Sequence, residues 1–350
     1  MTNEKKLRVA VIGVGAFGRN HARVYSELQK QTGEVELVGV VDEDAARCEA
    51  AAREYGTAAY KSAEDLLASA QVDAASVAVP TIGHLPAARS LMERGVDVLI
   101  EKPLAPGLRE ADEIIALAER HQRIAQVGHL ERFNPAVRAT LPLVTAPMFF
   151  EVHRLSVFTP RSLDVDVVLD LMIHDLDVVL SLVNSPVREI RAVGLPVLTP
   201  KVDIANVRVE FDSGCVANFT ASRVSTERVR KLRFFQPYQY VSLDFARRDV
   251  FTLSVTPAAE APASMLDFAP TTDDGIPVIT PNKPQVSAEE PLRLELRSFL
   301  ESVRTRKQPV VTLADGRRAL ELALEIQRQM DEHRERARVE ELMTRYAPGK

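Results

Sequence analysis

The sequence predicts an α/β domain with a doubly wound parallel sheet, followed by an α+β domain on a large, mostly antiparallel open sheet covered by helices. Three observations carry this. A glycine-rich turn sits between an apolar strand and a helix in "LRVAVIGVGAFGRNHARVY", which begins at Leu7. Short apolar strands then alternate with helices of ordinary length as far as about residue 128. From about residue 146 the texture changes to partly alternating strands with hairpin-like breaks such as Asp212-Ser213-Gly214. A chain of 350 residues exceeds one ordinary core. The expected division is residues 1–128, residues 129–335, and a charged tail over 336–350.

The first strand is Leu7–Ile12, and the chain turns through Gly13, Gly15 and Gly18 into a helix. Gly13 permits the tight turn, Gly15 lets a pyrophosphate approach the backbone, and Gly18 lets helix pack on strand. The helix N-terminus adds free N–H groups and a positive dipole end. Ala16 and Phe17, within the same loop, join the three glycines as candidate cofactor contacts. A second strand, "VELVGVVD", ends in Asp42, where a carboxylate accepts from ribose hydroxyls and repels a 2′-phosphate. NAD is therefore expected rather than NADP; the competing reading of Asp42 is an ordinary strand-end turn residue.

Next come a helix ended by Gly56, a buried strand "DAASVAVP", a helix ended by Gly95, the strand "VDVLIEKP", the helix "READEIIALAERHQ" and the strand "IAQVGH". Ligands of such sheets bind beyond the strand C-termini. That rim holds Pro80, Thr81, Glu101 and Lys102, with His84 just beyond Thr81 as a further candidate cofactor contact. Lys102 sits between an apolar strand and a proline, where burial can lower a lysine pKa and suit it to carrying a proton. An ion pair with Glu101 or a solvated loop lysine is the alternative.

"DVVLDLMIHDLDVVLSLV", residues 166–183, is an apolar helix with ionisable side chains set inside it. At about 100° per residue, Asp166, Asp170, His174, Asp177 and Ser181 fall within about 80° of one another, and Asp175 points the other way. A helix so apolar elsewhere is packed on most sides. Asp170 and His174, one turn apart, are neighbours on one face. The stripe is either one wet edge or the wall of a site.

The segments "GVGAFGRNH", "VDEDAAR", "AVPT", "EKPLA", "VGHLERFNPA" and "DLMIHDLD" occur in this order. Together they resemble the glucose–fructose oxidoreductase/inositol dehydrogenase/MocA family over roughly residues 7–330. The resemblance implies a Rossmann domain, a second domain with a large antiparallel sheet, a nicotinamide between them, and hydride transfer to or from a sugar or cyclitol carbon. Lys102 matches the family's EKP lysine, and Asp170 and His174 match its D-x-x-x-H pair. In those roles His174 takes the hydroxyl proton, Asp170 holds substrate hydroxyls or orients the imidazole, and Lys102 polarises the oxygen or shares the proton. Which of Lys102 and His174 is the principal base stays open. Where many relatives carry glycines around the aspartate, this chain has Val167, Val168 and Met172.

"VGHLERFNP" and the 166–183 helix are similar to a subgroup that oxidises the C3 hydroxyl of UDP-N-acetylglucosamine on the way to a lipid A precursor. Arg132, Asn134 and Arg161 are then candidate substrate contacts. The stretch 222–245, with Arg223, Arg228, Arg230, Lys231, Arg233, Phe234, Phe235, Tyr238 and Tyr240, offers arginine forks and stacking rings for a nucleotide. It reads equally as an amphipathic β-ribbon. Two other functions stay open: a dehydrogenase of a free cyclitol or monosaccharide, and a dinucleotide-binding redox sensor without turnover. The family resemblance also implies a homodimer or homotetramer.

A net charge of −5 offers no basic excess for nucleic acid. Cys48 and Cys215 are too few for a disulfide scaffold or a Cys-rich zinc site, and the histidines show no metal-ligand spacing. The N-terminus lacks a signal-peptide pattern, and no apolar run reaches the roughly 20 residues of a membrane span, so a cytoplasmic protein is expected. Residues 256–291 are rich in Pro, Ala, Thr and Asp and read as a surface insert, an arm onto a neighbouring subunit or a lid over substrate, the first being the plainest reading. "LADGRRALELALEIQRQMDEH" is an amphipathic helix with a charged, tail-like continuation.

Overall fold

The computed structural model describes residues 6–159, 165–256 and 278–346. The chain forms two compact units, residues 1–133 with 289–321 and residues 134–288 with 322–350.

The first unit is a six-stranded parallel sheet in the order β3-β2-β1-β4-β5-β6. Its strands are β1 (Leu7–Ile12), β2 (Val35–Val41), β3 (Ala59–Tyr60), β4 (Ala74–Val77), β5 (Asp97–Glu101) and β6 (Ala125–Gly128). The connecting helices are α1 (Gly18–Thr32), α2 (Ala45–Tyr55), α3 (Ala63–Ser69), α4 (His84–Glu93) and α5 (Leu108–Arg120). Every residue of β4, β5 and β6 is buried, as expected of a parallel sheet covered on both faces. Helix boundaries follow local chemistry. The Asp44 and Ser62 side chains cap α2 and α3, and Gly33 and Gly56 close α1 and α2 at φ +67° and +69°.

Residues 289–321 complete this unit, which the sequence pattern alone did not signal. Helix α8 (Pro291–Thr305) places Leu292, Leu296, Phe299 and Leu300 in one core with Ala22, Tyr25 and Leu28 of α1. Ion pairs Arg23–Glu290 and Arg293–Glu27 flank that contact.

The second unit is an eight-stranded sheet in the order β14-β13-β12-β11-β7-β10-β9-β8. The strands are β7 (Phe149–Leu155), β8 (Val187–Leu195), β9 (Ile204–Phe211), β10 (Val216–Ser222), β11 (Val229–Gln236), β12 (Gln239–Asp244), β13 (Asp249–Thr256) and β14 (Val278–Asn282). Only β7 and β10 pair in parallel; the other described pairs are antiparallel. Strand alternation turns Phe150, Val152, Val207, Val209, Ala217, Phe219, Leu232, Phe234, Val241 and Leu243 into the core. Among the described residues, one edge, β8, carries Arg188, Glu189 and Arg191; the other, β14, contains Pro281. Short α6 (Pro135–Thr140) opens the unit, and α7 (Ile173–Leu182) follows a π-helical turn at Val168–Met172 that packs on β10. The stretch after α9 (Leu313–Arg336) is not simply a tail: Val339–Arg345 forms α10, with Val339 buried. Among the described residues, no helix is long and apolar enough to cross a membrane.

Candidate active site

The glycine loop joins β1 to α1, and each glycine answers a different demand. Gly13 has φ +88°, and a Cβ there would fall 2.7 Å from the Ala78 carbonyl oxygen. A Cβ on Gly18 would fall 1.9 Å from the Gly13 carbonyl oxygen. Gly15, by contrast, has nothing within 4 Å of its Cβ position, and it borders a cavity of about 800 Å³. That cavity is lined by Gly13, Gly15, Asp42 and Pro80 among the expected residues, and by Arg47, Lys61 and Ile82, which the sequence reading did not assign. Ala16 and Phe17 are exposed on the loop, Phe17 edge-on to His21.

Asp42 is buried at the end of β2, and its acceptor sites are well used. Val14 N–H donates to Oδ2 at 2.8 Å, Asp44 N–H to Oδ1 at 3.0 Å, and Arg47 donates to both oxygens at 3.0 and 2.5 Å. Burial works against the charge, but Arg47 and the two amides outweigh it and hold the carboxyl below its ordinary range. An acceptor-only carboxylate at this cavity suits a ribose diol and opposes a phosphate. The diol would take sites that Arg47 holds in this structure. The spacing Asp42…Arg47 in "VDEDAAR" was the signal available in the sequence.

On the rim, Thr81 opens a short 3₁₀ turn after Pro80. His84 is turned inward: Nδ1 lies 3.2 Å from the Leu104 carbonyl and Nε2 3.1 Å from that of Val79. Its ring ties the β4 rim to the EKP loop, and it is absent from the cavity wall. Burial pushes its pKa down. Glu101 ends β5 buried, Lys102 is half-buried, and the Lys102–Pro103 peptide is cis. His129 follows β6 fully enclosed, its pKa pushed down to about 3 by burial, with Lys102 and Arg132 adding to the effect. Arg132 reaches the Val310 carbonyl.

In the second unit the expected polar stripe is altered by the π turn. The Ile173 N–H bonds back to the Val168 carbonyl, a wider turn than α geometry. Asp166 lies before it and serves as a cap, accepting from Val168 and Leu169 N–H at 2.8 and 3.1 Å. Asp170 sits within the π turn and His174 in the first turn of α7, both half-buried. Asp177 is buried, so the stripe is not one wet edge. Asp175, opposite in the α-helical projection, is buried against Arg154, which grips it through two 2.7 Å bonds while stacking on Phe245.

Asn134 spends both ends of its amide on the fold, capping α6 through Ala136 N–H and donating to the Phe245 carbonyl. Arg161 lies outside the described residues. The 222–245 stretch forms a β-ribbon whose aromatics part: Phe234 enters the core, while Phe235 meets Phe149 and Tyr240 on the other face. Arg223 is buried and bonds to the Val165 carbonyl. No cluster of three or more metal-type ligands occurs among the described residues.

Residues 7–129 match the oxidoreductase family with an NAD-binding Rossmann fold, and residues 148–235 match the GFO/IDH/MocA C-terminal domain. The chain belongs to the GFO/IDH/MocA family. Like its relatives it is an NAD-dependent oxidoreductase. The chain is 36% identical to the UDP-N-acetylglucosamine 3-dehydrogenase of Acidithiobacillus ferrooxidans, over 91% of this chain and 96% of that one. The solved structure of that protein superposes with a TM-score of 0.82 at 33% identity, covering 94% of this chain and 99% of the other. The NAD(+)-dependent scyllo-inositol 2-dehydrogenase of Bacillus subtilis is 26% identical over 92% of this chain and 93% of its own. NAD fits the residues present: a GFO/IDH/MocA glycine loop open at Gly15, α1 behind it, and Asp42 on the cavity.

Proposed function

We propose that this enzyme oxidises the C3 hydroxyl of UDP-N-acetylglucosamine to a ketone, a substrate for amination toward a lipid A precursor. The observation that carries the reading is 36% identity extending over 91% of the chain, both units included, to an enzyme named for that reaction. Oxidising an alcohol divides a C–H and an O–H bond between two acceptors. Bound NAD supplies the hydride acceptor, and the protein must receive the proton.

In this reading the amides of the glycine loop and the N-terminus of α1 hold the pyrophosphate, and Asp42 holds the adenosine ribose. Lys102 Nζ and the His174 imidazole are the groups that handle the hydroxyl proton, and Asp170 holds sugar hydroxyls or the imidazole. Arg132 contacts the substrate. Asn134 is the weaker candidate, since its amide already serves α6 and Phe245. A homodimer or homotetramer in the cytoplasm belongs to the same reading. Phe235, Phe251 and Val255, exposed on the sheet face away from the core, support association.

The test is NADH formation by the purified protein with UDP-N-acetylglucosamine, UDP-glucose, free N-acetylglucosamine and myo-inositol, each with an aminotransferase or ketone trap to draw the uphill oxidation forward. Turnover confined to the acetylated nucleotide sugar is expected. Turnover with a free polyol instead would overturn the substrate and keep the chemistry.

A further inference from the structure

Behind Glu101 and Lys102 lies a row of buried polar groups that neither the glycine loop nor Asp42 uses. His21 and Tyr25, one turn apart on α1, both meet Ser76 of β4. His21 Nδ1 and Tyr25 Oη each lie 3.0 Å from Ser76 Oγ. All three side chains are sealed from solvent. The other imidazole nitrogen, His21 Nε2, lies 3.0 Å from Glu101 Oε1, close but short of the alignment of a strong hydrogen bond.

Glu101 is confined from its other sides as well. Its Oε2 accepts from Lys102 N–H at 3.3 Å, and its carboxylate occupies the space of the side chain that Gly128 lacks, where a Cβ would fall 2.6 Å from Oε1. With Nδ1 turned to Ser76 Oγ, Nε2 is the ring nitrogen that faces the carboxylate, and a proton on it points toward Glu101. Turning the ring would break the Ser76 contact of a side chain sealed from solvent.

We propose that His21 is a positioning residue that acts through Glu101, fixing its carboxylate and tempering the negative field it exerts on Lys102. The inference rests on the reading of Lys102 as a proton-handling group. A carboxylate beside a lysine favours the ammonium form. An N–H directed at that carboxylate draws part of its field away, leaving Lys102 readier to release its proton. The other ionisable groups around this carboxylate are His84 from α4 and His129 after β6, both buried and both with pKa pushed down by that burial. Arg132 and Asp315 in turn bear electrostatically on His129.

The test reads Lys102 directly and needs no sugar. Lysines of the full-length protein are reductively ¹³C-methylated, and the Lys102 resonance, identified by its absence in K102R, is titrated. His21→Leu is expected to raise the Lys102 midpoint by about half a unit or more. His21→Gln, whose amide N–H reaches as far as Nε2, brings it back toward wild type. In a Glu101→Gln background, His21→Leu moves nothing further. An unchanged midpoint in the folded Leu variant, or equal midpoints for Leu and Gln, overturns the proposal. Should His21→Leu fail to fold, Asn (too short to reach Glu101) against Gln carries the same comparison, and equal midpoints again overturn it. If every sugar in the turnover assay were silent, the substrate reading would fall while this titration still decided the role of His21.

Discussion

Asp42 joins several constraints in one side chain. Its carboxylate is held by two amides and Arg47, and Lys61 stands on the same cavity wall. Removing it would leave Arg47 and Lys61 as two cations on the wall to which the proposed function assigns the ribose. In Asp42→Ser the ratio of kcat/KM for NADP over NAD is expected to rise by about tenfold or more, some 1.4 kcal/mol. An unchanged ratio, measured with whichever sugar proves active, would show that Asp42 does not set cofactor choice. At this scale the sequence was informative where spacing and backbone need coincide. Gly13, Gly15, Gly18 and Asp42 lie around one cavity or the turn beside it. It was silent on His21, because nothing in "GRNHARVY" announces that a histidine on α1 meets a carboxylate ending β5, eighty residues on. His84 and Asn134 look equally reactive in the sequence, yet His84 is packed between two backbone carbonyls and backbone partners take both ends of the Asn134 amide.

The element that carries Asp170 and His174 is anchored from below. Arg154 of β7 grips Asp175 of α7, with both groups buried and Phe245 over the guanidinium. Breaking such a pair strands a charge away from water, at a cost of about 3–5 kcal/mol. Asp175→Ala or Arg154→Ala should lower stability by that order in denaturant unfolding. The Arg154→Met/Asp175→Leu double variant should cost clearly less than the sum of the singles. A loss under about 1 kcal/mol in each single variant would mean that the pair does not hold α7. Regular 100° spacing placed Asp170 and His174 on one face and Asp175 away from them. It did not show that Asp166 is a cap or that a π turn intervenes, since a wider turn leaves no mark in apolar periodicity.

For the molecule as a whole, acid is the weak side. The His129 pKa is about 3 in the fold, against about 6.5 for a free histidine. Between those values the unfolded chain takes a proton that the folded one refuses, so stability falls as pH drops below about 6.5, by on the order of 1.4 kcal/mol per unit. The lowered Asp42 pKa acts in the same direction at still lower pH. Calorimetry at pH 7 and pH 5 should show a larger drop in melting temperature for wild type than for His129→Phe; equal drops would remove His129 as the cause. Strand–helix alternation made the first unit legible, because each βα step fixes its neighbour. The second unit was legible only as a class. Period-two patterning marks strands but not partners, and β7 finds β10 and β11 more than 60 residues away. Helix α8 escaped because its apolar face serves a core built from the other end of the chain.

The two ends of the second sheet differ from its faces in what they invite. At β8 an incoming strand would have to strip water from Arg188, Glu189 and Arg191; at β14 it would meet Pro281, which has no N–H to give. An open sheet of eight strands is thereby closed to lengthwise growth. Crowded protein is steered away from fibrous stacking, and any self-recognition is left to the broad faces.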